Sequence, residues 1–61
     1  MARVMRRLFR KGQLVRSKLD GKVMEVLKYI RANTVELRWF DLDAKEIRIR
    51  HLPENQLNKA A

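Results

Sequence analysis

Cysteine is absent from this chain, proline occurs once and glycine twice, and no acidic residue appears before Asp20. Without a thiol there is neither a disulfide framework nor a zinc-thiolate site to staple a small fold. No apolar run approaches the roughly 18 residues that would suggest a membrane span. The opening MARVMRRLFRKG has charge but not the continuous apolar segment of a secretory signal, so a cytoplasmic protein is expected. An arginine-rich, acid-free start also has the composition of an organelle transit peptide, yet this one carries no serine and is short. A chain of 61 residues makes one domain, and at that size only roughly 60% of the unfolded surface is buried. Packing must hold the fold alone or with the help of a dimer.

What is present in excess is positive charge, and it is unevenly placed. The net charge is +8. Residues 1–19 hold seven basic groups (Arg3, Arg6, Arg7, Arg10, Lys11, Arg16 and Lys18), whereas the rest of the chain holds eight basic and seven acidic ones. Such asymmetry points to a polyanionic partner, either nucleic acid or an anionic membrane surface. A 46% hydrophobic content argues against disorder despite the charge.

The few glycines and the proline divide the chain. Gly12 separates the basic arm from QLVRSKL, which reads as a first strand. Asp20-Gly21 signals a tight turn. KVMEVLKYI, residues 22–30, is too rich in Val, Ile and Tyr for a comfortable helix, and its apolar residues fall on both faces, as in a strongly bent strand or one with a bulge. RAN follows, and a left-handed Asn33 would close a three-residue hairpin loop onto TVELRWF. In that strand Val35, Leu37 and Trp39 share one face while Thr34, Glu36, Arg38 and Phe40 share the other. The second set carries two charges, so Trp39 is expected inside and Phe40 outside. DLDA then turns the chain into KEIRIRHL, where Ile47 and Ile49 form an apolar face and Arg48 and Arg50 a cationic one. Pro53 suits the start of a helical turn bracketed by Leu52 and Leu57. Residues 1–8 form either a short helix, with Val4, Met5, Leu8 and Phe9 on one side and Gly12 as cap, or a frayed tail. The expected fold is all-β, a small SH3-like barrel of four to five antiparallel strands over residues 9–61, with a C-terminal helical turn and a basic arm over residues 1–8.

Three blocks of this sequence, FRKGQLVRSKLDGKVMEV, VELRWFD and LPENQL, resemble the YodC-like family of small bacterial proteins. That family opens F-K-x-G-D-x-V-x-L-K-S-G-G-P-x-M-T-V, continues V-x-C-x-W-F-D and closes F-P-x-x-x-L. The resemblance rests on Phe9, Gly12, Val15, Lys18, Gly21, Met24 and Val26, then Val35, Trp39, Phe40 and Asp41, then Pro53 and Leu57. Gln13, Asp20, Lys22, Glu25 and Leu37 depart from the pattern, so the first turn is expected to differ in shape from the family's. The resemblance implies a compact β domain and supplies no catalytic residue; residues 1–8 lie outside it.

Catalytic groups are scarce: one serine (Ser17), one threonine (Thr34) and one histidine (His51), with nothing to show that a nucleophile, base and orienter converge. His51 falls in phase with Ile47 and Ile49 and reads as a partly buried strand-end imidazole. Asp41, Asp43 and Glu46 lack the glycine and ligand count of a calcium loop and read as turn formers. The chain is therefore expected to be non-enzymatic, with no cofactor and no metal. For nucleic acid, Arg3, Arg6, Arg7, Arg10 and Lys11 would meet phosphates. Arg38 and Phe40 on one strand, with Arg48 and Arg50 on the next, would give a ring among guanidinium groups on which a base can stack. The bland counterpart is a solvated basic surface with Phe40 covered by the arm or by a second subunit. No element reads base sequence, so the expected role is non-specific nucleic-acid binding in an accessory or regulatory capacity. The alternative is a protein-interaction module, peptide-binding through Phe40 and Tyr29 or homodimerising through an edge strand. A membrane-surface arm built on Met1, Val4, Met5, Leu8 and Phe9 offers too little buried area to be favoured.

Overall fold

Alternating apolar and polar residues, rich in β-branched types, form five antiparallel strands in the computed structural model, which describes residues 7–60. These are β1 (Leu14–Ser17), β2 (Val23–Arg31), β3 (Thr34–Asp41), β4 (Glu46–Pro53) and β5 (Leu57–Lys59). A single 3-10 turn, Glu54–Gln56, joins the last two. The strands lie in one open sheet in the order β4-β3-β2-β1-β5, so β1 pairs with both β2 and β5. The fold is all-β and consistent with a small SH3-like barrel. Arg3, Arg6 and the choice between helix and tail for the arm lie outside the described residues.

The core is one cluster: Phe9, Val15, Met24, Val26, Val35, Leu37 and Leu57 are buried, with Tyr29, Trp39 and Leu52 packed against it. Val35, Leu37 and Trp39 share the core face as the alternation of β3 requires, but the indole is only half-buried. Arg50 lies 5.0 Å and Lys22 5.4 Å from its ring centroid, so cations rather than hydrocarbon close that end of the core. Phe40 is on the outer face and 52% exposed.

The mixed faces of β2 come from a bulge. Val26 pairs with Leu37 and Lys28 with Glu36, so Leu27 is the extra residue, and a second shift falls between Tyr29 and Arg31. Beyond the first shift Tyr29 stands opposite Val35, which brings its ring onto the core side. The second shift sits beside the hairpin loop, and there the expectation fails. Arg31 pairs with Thr34, leaving a two-residue loop, Ala32 and Asn33, and Asn33 does not have positive φ. Short loops without left-handed residues splay the strands they join, and the adjacent irregularity takes up that mismatch.

The turn chemistry is otherwise local and explicable. The Gln13 amide donates to the Arg10 carbonyl at 3.0 Å with Gly12 at φ 87°, a turn whose third position calls for glycine. Gly21, at φ 74°, lies in a longer loop closed by its own amide on the Ser17 carbonyl. Asp20 accepts from the Lys22 amide within it. Pro53 precedes the 3-10 turn, and Leu52 and Leu57 flank it on the core side. Leu57 then begins β5, the fifth strand, beside β1.

Candidate nucleic-acid interface

Residues directly opposite one another in an antiparallel pair share a face. Between β3 and β4 the pairs are Val35 with Leu52, Leu37 with Arg50, Trp39 with Arg48 and Phe40 with Ile47. Leu52, Arg50 and Arg48 therefore belong to the core face, and Ile47, Ile49 and His51 to the outer one. This reverses the expected phase of β4: Ile47 and Ile49 are more than half exposed, and His51 is exposed beside Glu36, with Nε2 3.2 Å from Glu36 Oε2. The cause is the hairpin loop. Asp41 pairs with Glu46 across a four-residue loop, which fixes Ile47 opposite Phe40 whatever the hydropathy of β4 prefers.

The expected stacking surface is consequently divided. Arg38 and Phe40 lie on the outer face; Arg48 and Arg50 lie on the other. These arginines are also neutralised locally. Arg38 Nε is 2.8 Å from Glu25. Arg48 Nε is 3.0 Å from Asp41, with Glu46 beyond it. Arg50 meets Asp20 at 3.4 Å. Asp41 is held below its ordinary pKa by the Ala44 amide first, then by the Arg48 guanidinium and the Asp43 amide. Asp20 is held low chiefly by the Lys22 amide, with Arg50 and Ser17 contributing. Both carboxylates are committed to turns; of Asp41, Asp43 and Glu46, Asp41 accepts from two backbone amides and Glu46 lies 3.8 Å from Arg48. Among the described residues no cluster of three or more His, Asp or Glu could hold a metal ion.

The described part of the basic arm has a different setting. Arg7, Arg10, Lys11 and Lys28 line a groove of about 450 Å³ floored by Phe9 and Tyr29, and no acidic side chain lines it. None of the four cations has an ion-pair partner among the described residues. The groove is built by the first bulge, which turns Tyr29 toward the root of the arm. The Phe9 amide donates to the Tyr29 hydroxyl at 3.3 Å, and that hydroxyl donates to Glu54 Oε2. One phenol thus ties the arm, β2 and the 3-10 turn together. Its pKa is raised, first by burial and then by the Glu54 acceptor, which keeps it neutral and donating. The Arg7 guanidinium sits 4.9 Å from the centroid of the same ring.

Lys28 was not among the expected contacts. It lies next to Tyr29 where β2 changes face, and that point is set by the pairing with β3. Of the expected contacts, the structure brings together Arg7, Arg10 and Lys11. It separates these from Phe40, which stands at the opposite end of β3 from Val35, the partner of Tyr29. Among the described residues, every Phe, Tyr and Trp ring but Phe40 is buried or covered by a cation.

The chain matches no protein-family model, no curated protein and no solved structure. Of the residues that carry its resemblance to the YodC-like family, Phe9, Val15, Met24, Val26, Val35 and Leu57 are core, and Gly12 and Gly21 have positive φ. Those positions specify packing and turns rather than chemistry. Among the described residues no helix is long and apolar enough to cross a membrane.

Proposed function

We propose that this protein is a non-enzymatic, cytoplasmic accessory or regulatory factor that binds nucleic acid through phosphates, without base-sequence preference. The observation that carries the reading is the acid-free groove of Arg7, Arg10, Lys11 and Lys28, continuous along the chain with Arg3 and Arg6. Unpaired cations release counterions when they meet a polyanion, whereas arginines already held by carboxylates contribute much less. With Tyr29 covered by Arg7 and Phe40 remote, stacking adds little and affinity comes from charge.

Anisotropy titrations of a labelled duplex and a labelled single strand test it. Four to six phosphate contacts lower affinity about 10²–10³-fold between roughly 50 and 200 mM salt. Replacing Arg7, Arg10, Lys11 and Lys28 together by Ala flattens that dependence. Absence of binding near 50 mM salt removes the proposal.

The exposed apolar residues of the outer face favour a second reading, a protein-contact surface. Association through that face would respond more weakly to salt than phosphate binding, because apolar side chains make the contact.

A further inference from the structure

The outer face carries Leu14 on β1, Val23 on β2, Phe40 on β3, and Ile47 and Ile49 on β4, with exposures from 40% for Val23 to 54% for Ile47. Isolated exposed hydrophobes are ordinary, but five on one sheet face form a patch, and patches mark contacts. Leu14, Val23, Phe40 and Ile47 also line a groove of about 450 Å³ on this side of the sheet, together with Glu25 and Arg38. We infer that this face is the interface of a two-fold homodimer, in which Glu25 and Arg38 of one copy face Arg38 and Glu25 of the other.

Self-complementarity argues for a second copy over any other occupant. Glu25 and Arg38 are directly paired neighbours on β2 and β3, one of each sign, near the middle of the patch. A two-fold axis running between these strands, parallel to them, superposes each carboxylate on the other copy's guanidinium. The same axis lays Leu14 of one chain over Ile49 of the other, Val23 over Phe40, and the Arg16 stem over Ile47. Two sheets packed this way stand about 10 Å apart with strands nearly aligned. On this face each acid of β2 and β3 stands opposite a cation, Glu25 opposite Arg38 and Glu36 opposite Lys28, with Arg16 of β1 on the same side. Of the cations that line the arm groove, Lys28 stands opposite Glu36 on this face, while Arg7, Arg10 and Lys11 belong to the arm and not to the sheet.

Size supports a weak association. Five half-exposed side chains offer on the order of 400 Å² of apolar surface per copy, and a charged rim brings the two copies together near the ~1,200 Å² lower bound of specific interfaces. A dissociation constant of about 10 µM is expected. A core of seven buried hydrophobic residues with no disulfide also gains from covering the back of its sheet.

The inference rests on the second reading above, that the outer face makes protein contacts, and is independent of nucleic-acid binding. Sedimentation equilibrium of the full chain over roughly 1–500 µM decides it. The wild type is expected to dimerise, and Phe40→Ser with Ile49→Ser to remain monomeric with an unchanged circular dichroism spectrum, since neither side chain belongs to the core. Glu25→Arg and Arg38→Glu, each alone, are expected to be monomeric, and an equimolar mixture of the two to form a heterodimer, because only unlike variants then present opposite charges. An intramolecular pair cannot produce that rescue. A monomeric wild type at the highest concentration overturns the inference, as does a dimer indifferent to all four substitutions, which would place the contact on a free sheet edge, β4 or β5, instead. If a monomeric wild type still binds an apolar surface dye and the Phe40→Ser, Ile49→Ser variant does not, protein contact through this face survives while the second copy falls.

Discussion

Leu37 is fully buried and faces Val26 across the β2–β3 pair. Truncating a buried leucine costs about 2–5 kcal/mol, and a domain of this size has about 5 kcal/mol or little more in total. Leu37→Ala is therefore expected to be largely unfolded at 37 °C, as read by urea titration, while Leu42→Ala, at an exposed loop position, shifts the midpoint little. Tyr29 is the other residue on which much depends. Tyr29→Phe removes the hydroxyl that accepts from Phe9 and donates to Glu54, at an expected cost of about 1–2 kcal/mol. Its folded pKa is raised above the ordinary value of 10.0. The stabilisation is thus complete below that value and is lost as pH rises through the higher folded one. Urea midpoints measured from neutral to strongly alkaline pH should fall in the wild type and fall less in Tyr29→Phe.

At the scale of elements, the β3–β4 hairpin is the instructive case. Its loop is organised by Asp41, whose Oδ1 accepts from the Asp43 and Ala44 amides, and by Lys45, the non-glycine residue with positive φ at 55°. Lys45→Gly relieves that conformation and is expected to stabilise the fold by about 0.5–1 kcal/mol, measured as a rise in Tm. The folded pKa of Asp41 is depressed below 3.8, so its contribution is present above that value and lost as pH falls through the folded one. Asp41→Asn should flatten the acid limb of the stability profile. This loop also explains where alternation in the sequence was and was not enough. In β3 the charges of Glu36 and Arg38 settle which face is inside. In β4 both faces have a claim, Ile47 and Ile49 on one side and Leu52 on the other, and the loop length decides. Counting four residues between Asp41 and Glu46 would have set Ile47 opposite the outward Phe40. The bulge in β2 was legible from its mixed faces, but its place at Leu27, and hence the turning of Tyr29 toward the arm, depends on pairing with β3 that periodicity does not contain.

For the whole molecule, these details separate two surfaces that composition had merged into one. Arg38, Arg48 and Arg50 are held by Glu25, Asp41, Glu46 and Asp20, while the cations nearest the arm have no such partners among the described residues. The basic excess of the first 19 residues was plain from the chain, and Arg7, Arg10 and Lys11 follow from it directly. Lys28 and the loss of Arg48 and Arg50 from the outer face do not, because both depend on register. The measurement that tests the central claim most directly is a titration of the isotopically labelled protein with a short duplex, followed by amide chemical shifts. Shifts concentrated at Arg10, Lys11, Lys28 and Tyr29, with the amides of Phe40, Ile47 and Ile49 unmoved, are the predicted result. Shifts centred on Arg38, Phe40 and Ile49 instead would contradict it.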